Sequence, residues 1–313
     1  QKNGRVCPSC GSRKTKKFGT QLGRQRYFCN DCKTAFQATR QLGRKQRALL
    51  KKYVWGRQTI EQLALASKRS HVWVKKHLDT ALERKQTLAP QPTPIAADMT
   101  FWGRGYGVMV FRSPTLKKNL WWTESLFETP FVYREGLIAL RKQGWTITSA
   151  VIDGKRGVAQ VFEHAEIPVQ YCQFHQVKTV TKYLTRKPKT EAAKELRVLA
   201  LRLKDMREDE FKNALNAWSE RWQEFLNEKS IAPHKKRGWE YTHKRLRAAY
   251  RSLKSNLSRL FTYQRYPELN IPNTTNTLDG MFSQIKNRIA VHRGLSRDRR
   301  FKIISEILKG AQT

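Results

Sequence analysis

The sequence predicts an α/β chain assembled from several modules. Three observations point that way: two Cys-x-x-Cys pairs near the N-terminus, a proline-rich break at residues 85–95, and β-rich runs alternating with helical ones from Ile95 onward. A length of 313 residues suits two or three domains. A 39% hydrophobic share, with nine Trp, ten Tyr and fourteen Phe, provides more core than a disordered chain carries.

The first module is read from its cysteines. Cys7, Cys10, Cys29 and Cys32 form C-x2-C-x18-C-x2-C, spacing that turns four thiolates towards one tetrahedral Zn²⁺. Residues 1–40 are therefore expected to be a small zinc ribbon. With no ligand position open, the zinc is structural. Lys14, Lys16, Lys17, Arg24 and Arg26 would supply its DNA-contacting charge. The second module, residues 43–84, reads as three short helices at 44–53, 59–66 and 70–82, with Thr59 and Ser70 as N-caps. Leu49, Leu50, Ile60, Leu63, Ala64, Val72, Val74 and Leu78 form its expected core. Lys75, Lys76 and His77 lie on the third helix, where a trihelical helix-turn-helix meets the major groove.

Residues 85–95 (KQTLAPQPTPI) read as a linker. Beyond it, strands are expected at 95–102, 106–111 and 119–126, a helix at 131–144, and strands at 146–152 and 168–172. That order belongs to an RNase H-like core, assigned to 96–189 and 262–313. Between these lies 190–261, expected to be an all-helical insertion. There Phe211, Leu215, Trp218, Trp222 and Phe225 fall on one helical face, as do Leu246, Tyr250, Leu253, Leu257 and Leu260.

Charge narrows the class of partner without choosing it alone. Against 25 Asp and Glu stand 62 Lys and Arg, for a formal net charge of +37. Solubility needs far less, and such an excess repels itself until a polyanion neutralises it. The basic residues run the length of the chain, which favours a nucleic-acid track over one membrane-binding patch. No apolar stretch approaches membrane-spanning length, so a soluble, cytoplasmic, nucleoid-associated protein without a membrane partner is expected.

Against this background, carboxylates in apolar strand contexts stand out. Asp98 sits in Ile-Ala-Ala-Asp-Met-Thr-Phe-Trp, and Asp153 ends the apolar run Thr-Ser-Ala-Val-Ile. A carboxylate there costs desolvation unless it is paired, and a divalent cation pairs it well. Asp279, in Asn-Thr-Thr-Asn-Thr-Leu-Asp-Gly, is a third acid, equally explicable as a residue of a helix's first turn.

The run Ile152-Asp153-Gly154, the segment Tyr171-Cys172-Gln173-Phe174-His175-Gln176-Val177-Lys178, and Pro272-Asn273-Thr274-Thr275-Asn276-Thr277-Leu278-Asp279 together resemble the Mutator-type DDE transposases of bacterial insertion sequences. The resemblance covers residues 95–310, and the N-terminal modules suit the same setting. It implies Asp98, Asp153 and Asp279 as catalytic ligands of two Mg²⁺ or Mn²⁺ ions about 4 Å apart. It also implies metal-dependent cleavage and strand transfer at terminal inverted repeats. The family's final glutamate is an aspartate here. Cys172 and His175 would support the site, and Trp222, after Arg221, resembles a base-stacking pair of some related enzymes, although its apolar stripe suggests core packing. Lys286, Arg288 and Arg293, with His292, Arg297, Arg299 and Arg300, are expected to meet phosphates. The implied partners are transposon-end and target DNA, with a homodimer or larger assembly forming on them. The competing readings are a catalytically inactive, domesticated DNA-binding regulator and an RNase H-like nuclease or resolvase.

Overall fold

The computed structural model describes residues 5–7, 9–37, 40–81, 88–103 and 105–310, with the backbone alone at 40–42 and 44. Pro8 of the first cysteine pair, Leu82 at the end of the expected third helix, and residues 85–87 of the expected linker lie outside these. The chain divides into two compact units: Gln1–Lys85 with Arg288–Ile307, and Gln86–Asn287 with Leu308–Thr313.

The first unit opens with an antiparallel sheet of order β1-β2-β3, made of β1 (Thr15–Gln21), β2 (Arg24–Cys29) and β3 (Ala35–Gln37). The β1–β2 turn is Leu22-Gly23, both with positive φ (51° and 72°). Primed two-residue turns require that geometry because it matches the strand twist. Three helices follow, α1 (Arg40–Val54), α2 (Ile60–Ser67) and α3 (His71–Asp79). Thr59 caps α2 through a reciprocal box with Gln62, and the Ser70 hydroxyl accepts from the Trp73 amide at the start of α3. Leu50, Tyr53, Leu63, Val74 and Leu78 are buried. Val72, expected in this core, is 75% exposed. Two residues before Val74 on a helix is about 200° round the axis, so the Val74–Leu78 stripe leaves Val72 on the opposite face.

The second unit holds a five-stranded mixed sheet of order β6-β5-β4-β7-β8, from β4 (Thr93–Phe101), β5 (Gly107–Ser113), β6 (Lys118–Ser125), β7 (Ile147–Ile152) and β8 (Val169–Tyr171). β4, β5 and β6 pair antiparallel, and β4, β7 and β8 pair parallel. The β6–β7 crossover carries α4 (Pro130–Lys142) and the β7–β8 crossover carries α5 (Val158–Glu163). On one face the row Ala97–Phe111–Trp121 meets these helices, and Phe111 packs with Trp121, Tyr133 and Phe162 at ring separations of 5.4–6.3 Å. Asp98, one residue along β4, belongs to the opposite face, in register with Val110 and through it Trp122.

The helical part runs through α6 (Gln173–Leu184), α7 (Glu191–Leu201), α8 (Glu208–Arg221) and α9 (Gln223–Asn227). It continues through β9 (Lys229–Ile231), β10 (Trp239–Tyr241), α10 (Lys244–Leu260), α11 (Thr262–Arg265) and α12 (Asn276–Ile289). The expectation of an all-helical insertion is corrected here: β9 and β10 pair antiparallel as a hairpin, with Pro233 and Gly238 in its loop. The single helix expected over Phe211–Phe225 is also two, broken at Trp222 (φ −103°, ψ 17°). The Trp222 indole N–H donates to Glu195 of α7 at 2.9 Å, tying the break to the neighbouring helix. The second stripe does form one helix, α10, with Leu246, Leu253 and Leu260 buried.

The last helix is α13 (Arg297–Gly310). Within the first unit, Glu306 is 2% exposed and accepts two hydrogen bonds from the Arg47 guanidinium, at 2.5 and 2.7 Å. Arg299 forks onto Asp79 at 2.7 and 2.8 Å.

Candidate active site

The four-cysteine cluster of the first unit is assembled from two turns. In the first, Gly11 (φ 76°) donates its amide to the Cys7 carbonyl at 2.9 Å, bringing Cys7 and Cys10 round on one side. In the second, the Cys29 amide donates to the Thr34 carbonyl at 3.0 Å. The Sγ pairs Cys7–Cys32 and Cys10–Cys29 lie 3.5 and 3.6 Å apart, and all four sulfurs fall within 4.8 Å of one another. A tetrahedron with Zn–S of about 2.3 Å has edges of about 3.8 Å, so the donor set fits zinc.

A second donor group lies in the second unit, where Asp98, His175 and Asp279 bring ligand atoms within 4.8 Å of one another. Each arrives by a different route. Asp98 is on β4, paired to β5 on one edge and to β7 on the other. His175 is in the first turn of α6, directly after β8, and Asp279 is in the first turn of α12. Motifs 77 and 104 residues apart in sequence thus meet at the end of one sheet. One of the two Asp279 carboxylate oxygens is buried and accepts no hydrogen bond among the described residues. A buried, unpartnered carboxylate oxygen is the atom a cation would satisfy.

Asp153 does not join this group. The parallel β4–β7 register, extended two places beyond Ala96–Val151, sets it level with Asp98. Its Oδ1, however, accepts the Lys155 amide at 2.9 Å in a local turn. His175, expected only to support the site, instead contributes to the donor group. It is half-buried and not a surface histidine.

The electrostatics follow from this crowding. Burial pushes the Asp98 carboxyl up to about 7, with the Asp153 and Asp279 charges adding to the rise and the Met99 amide and His175 opposing it. Asp153 is raised too, by burial and by Glu128, against the Lys155 amide and His175. His175 is raised, chiefly by its hydrogen bond with Cys172, with Asp98 and Asp279 adding to the effect. Burial alone would lift the fully buried Cys172 thiol, but hydrogen bonds from His175 and Thr275 outweigh it and hold the thiol below its ordinary range. Burial and like charge therefore both disfavour the charged forms of Asp98 and Asp153.

Two residues that sequence reasoning passed over belong to this setting. Thr275 donates its amide and hydroxyl to Cys172 Sγ at 3.3 and 3.4 Å, and its hydroxyl lies 3.4 Å from His175 Nδ1. Glu128 accepts from the Tyr133 hydroxyl at 2.6 Å and from Lys155 Nζ at 3.0 Å. The signal for Glu128 was available, because it follows a strand shortly before a helix, much as Asp153 follows β7.

The other expected site residues divide clearly. Lys14, Lys16, Lys17, Arg24, Lys75, Lys76, Lys286 and Arg293 are exposed. Arg26 lies over Phe18 and Arg288 over Trp55, at 5.4 and 5.1 Å. His292, expected to meet phosphate, is only 7% exposed and packs on Tyr53 at 4.0 Å, and burial lowers its pKa. Arg299 is committed to Asp79. Trp222 is half-buried against the helical core and held by Glu195, which agrees with packing rather than base stacking. No protein-family model matches the chain, and no curated protein does either. No helix among the described residues is long and apolar enough to cross a membrane.

Proposed function

We propose that this chain is a DDE-type DNA transposase of the Mutator-like insertion-sequence kind, with a zinc ribbon and a helix-turn-helix for DNA and an RNase H-like domain for chemistry. The observation that carries the reading is the meeting of Asp98, His175 and Asp279 with an unpartnered buried oxygen on Asp279, in a chain of net charge +37. The strand order, three antiparallel strands followed by two parallel ones, supports the RNase H-like assignment.

Asp98, Asp279 and His175 would hold a divalent cation, Mg²⁺ or Mn²⁺. Bound there, it supplies charge stabilisation at a phosphodiester and activation of an attacking hydroxyl. Asp98 would provide a ligand whose position is set by its pairing with Val110 of β5, just beyond the end of the β4–β7 ladder. Thr275 and Cys172 orient the His175 ring. Glu128 holds the Lys155 ammonium beside Asp153, where it balances one of the two acids and stands ready for a substrate phosphate. Asp153, level with Asp98 by the extended β4–β7 register, would be a ligand for a second cation. The exposed lysines and arginines of the ribbon and of α3 position duplex DNA without reading its sequence.

The test is strand transfer with end-containing duplex and Mn²⁺. Product that disappears in Asp98→Asn, Asp279→Asn and Asp153→Asn supports the enzyme. The second reading, a DNA-binding regulator, is favoured by one observation, that Asp153 lies outside the donor group. Tight, salt-sensitive binding without product under any divalent metal selects it.

A further inference from the structure

The β9–β10 hairpin carries more cationic charge than the carboxylates around it balance. From Glu228 to Arg247 there are seven Lys and Arg against two Glu. Both carboxylates are engaged, Glu228 by His243 at 2.8 Å and Glu240 by Lys244. Lys229, Lys235, Lys236 and Arg237 form no ion pair with a described carboxylate, and all four are exposed. Like charges packed this closely repel one another, so their concentration on one hairpin favours an external anion.

The aromatic residues between them act in an informative way. Lys229 Nζ and the Arg237 guanidinium carbon each lie 4.2 Å from the Trp239 ring centroid. Arg247 lies 3.6 Å from the Tyr241 centroid, and the two rings meet edge to face at 5.2 Å. Trp239 and Tyr241 alternate onto one face of β10, and Lys229 pairs with Tyr241 across the hairpin. Arg237 is fixed further, donating Nε–H to the Trp239 carbonyl at 2.8 Å. With cations already on them, the rings are poorly placed to stack a nucleobase. They hold flexible cationic side chains in one arrangement, so less rotamer freedom is lost when phosphates bind.

We infer that the β9–β10 hairpin docks the phosphate backbone of duplex DNA, with Trp239 and Tyr241 as props for Lys229 and Arg237 and with Lys235 and Lys236 reaching from the loop. Such a surface reads backbone spacing and charge, not sequence. The inference rests on the nucleic-acid part of the proposed function but not on cleavage, and the test keeps the two apart.

The experiment uses the full zinc-loaded chain and a random-sequence duplex, with affinity followed by fluorescence anisotropy across a salt series. Each phosphate contact contributes about 0.9 to the slope of log affinity against log salt. Combining Lys229→Gln, Lys235→Gln, Lys236→Gln and Arg237→Gln should flatten that slope by about 3.6 and weaken binding at least tenfold at about 0.1 M salt. Trp239→Leu leaves every charge in place and should weaken duplex binding by a smaller factor. If the fourfold variant does not fold, Lys235→Gln with Lys236→Gln, confined to the exposed loop, should flatten the slope by about 2. An unchanged slope in these variants overturns the inference, as does tighter binding of single-stranded DNA that Trp239→Leu abolishes. Asp98→Asn should bind the duplex like the parent chain, so loss of strand transfer alone does not bear on the hairpin.

Discussion

Thr275 donates two hydrogen bonds, from amide and hydroxyl, to the buried sulfur of Cys172, 103 residues earlier in the chain. The pair joins the segment entering α12 to the N-terminus of α6. These are the two elements that bring Asp279 and His175 to Asp98.

Thr275→Val should therefore damage the site without unfolding the protein. It removes the hydroxyl from Cys172 and His175 but keeps the backbone N–H. Loss of an outer-shell partner lowers metal affinity or activity by about 10- to 100-fold. Thr275→Ser should restore most of it. Mn²⁺ titration by calorimetry checks this, and parent-like affinity in the valine variant would refute the positioning role.

A pH dependence follows from Asp98. Its folded pKa of about 7 lies above the ordinary 3.8, so the fold favours the protonated carboxyl. That contribution is fully present below about pH 4 and is lost as pH rises towards 7, by up to about 4 kcal/mol. Zinc-loaded protein without added Mg²⁺ or Mn²⁺ should lose stability across this window relative to Asp98→Asn. Added Mg²⁺ should shrink the difference. Urea unfolding of both proteins at pH 4.5 and 7 provides the comparison, and parallel profiles would count against it.

Cys7→Ser should remove the metal from the ribbon. Native mass spectrometry should find one Zn²⁺ in the parent and none in the variant. Amide protection of β1–β3 should fall together with the metal, because binding energy at such a site is folding energy. Retained zinc in the variant would overturn the assignment of all four thiolates to one ion.

Gly136 gives a packing test in which two effects oppose. Alanine is the better helix former by about 1 kcal/mol. A Cβ at Gly136, however, would lie 2.7 Å from the Trp121 ring and 2.8 Å from Phe111. Both neighbours are large rings held between sheet and α4, and overpacking of this kind costs about 1–3 kcal/mol. Gly136→Ala should be net destabilising, measured as a lower denaturation midpoint.

Much of the fold could be read from apolar patterning. β4, β5, β6 and β7 occur within a residue or two of their expected places because each is a short apolar run with clear ends. Thr59 and Ser70 cap as expected because a hydroxyl before a helix satisfies free amides whatever surrounds it. What escaped depends on distant partners. Trp222, at the break, is held by Glu195 of a distant helix, and the β9–β10 strands, three residues each, are too short to stand out as strand alternation. At the site, Asp98 and Asp153 could be recognised as acids in apolar strand contexts, whereas Asp279, ordinary for a helix's first turn, is singled out only by the family resemblance. His175 was undervalued because its place in the candidate donor group depends on where β8 ends and where Thr275 lies, and neither leaves a mark within the Cys-x-x-His segment.

The central place of β4 in its sheet sets a sequence of events for the site. Asp98 is placed once β4 pairs with β5, whereas His175 and Asp279 wait for side-chain contacts that form only when distant segments dock. Chelating geometry should thus be the last feature to mature as the chain folds, and the first to dissolve under mild perturbation while the sheet beneath stays whole.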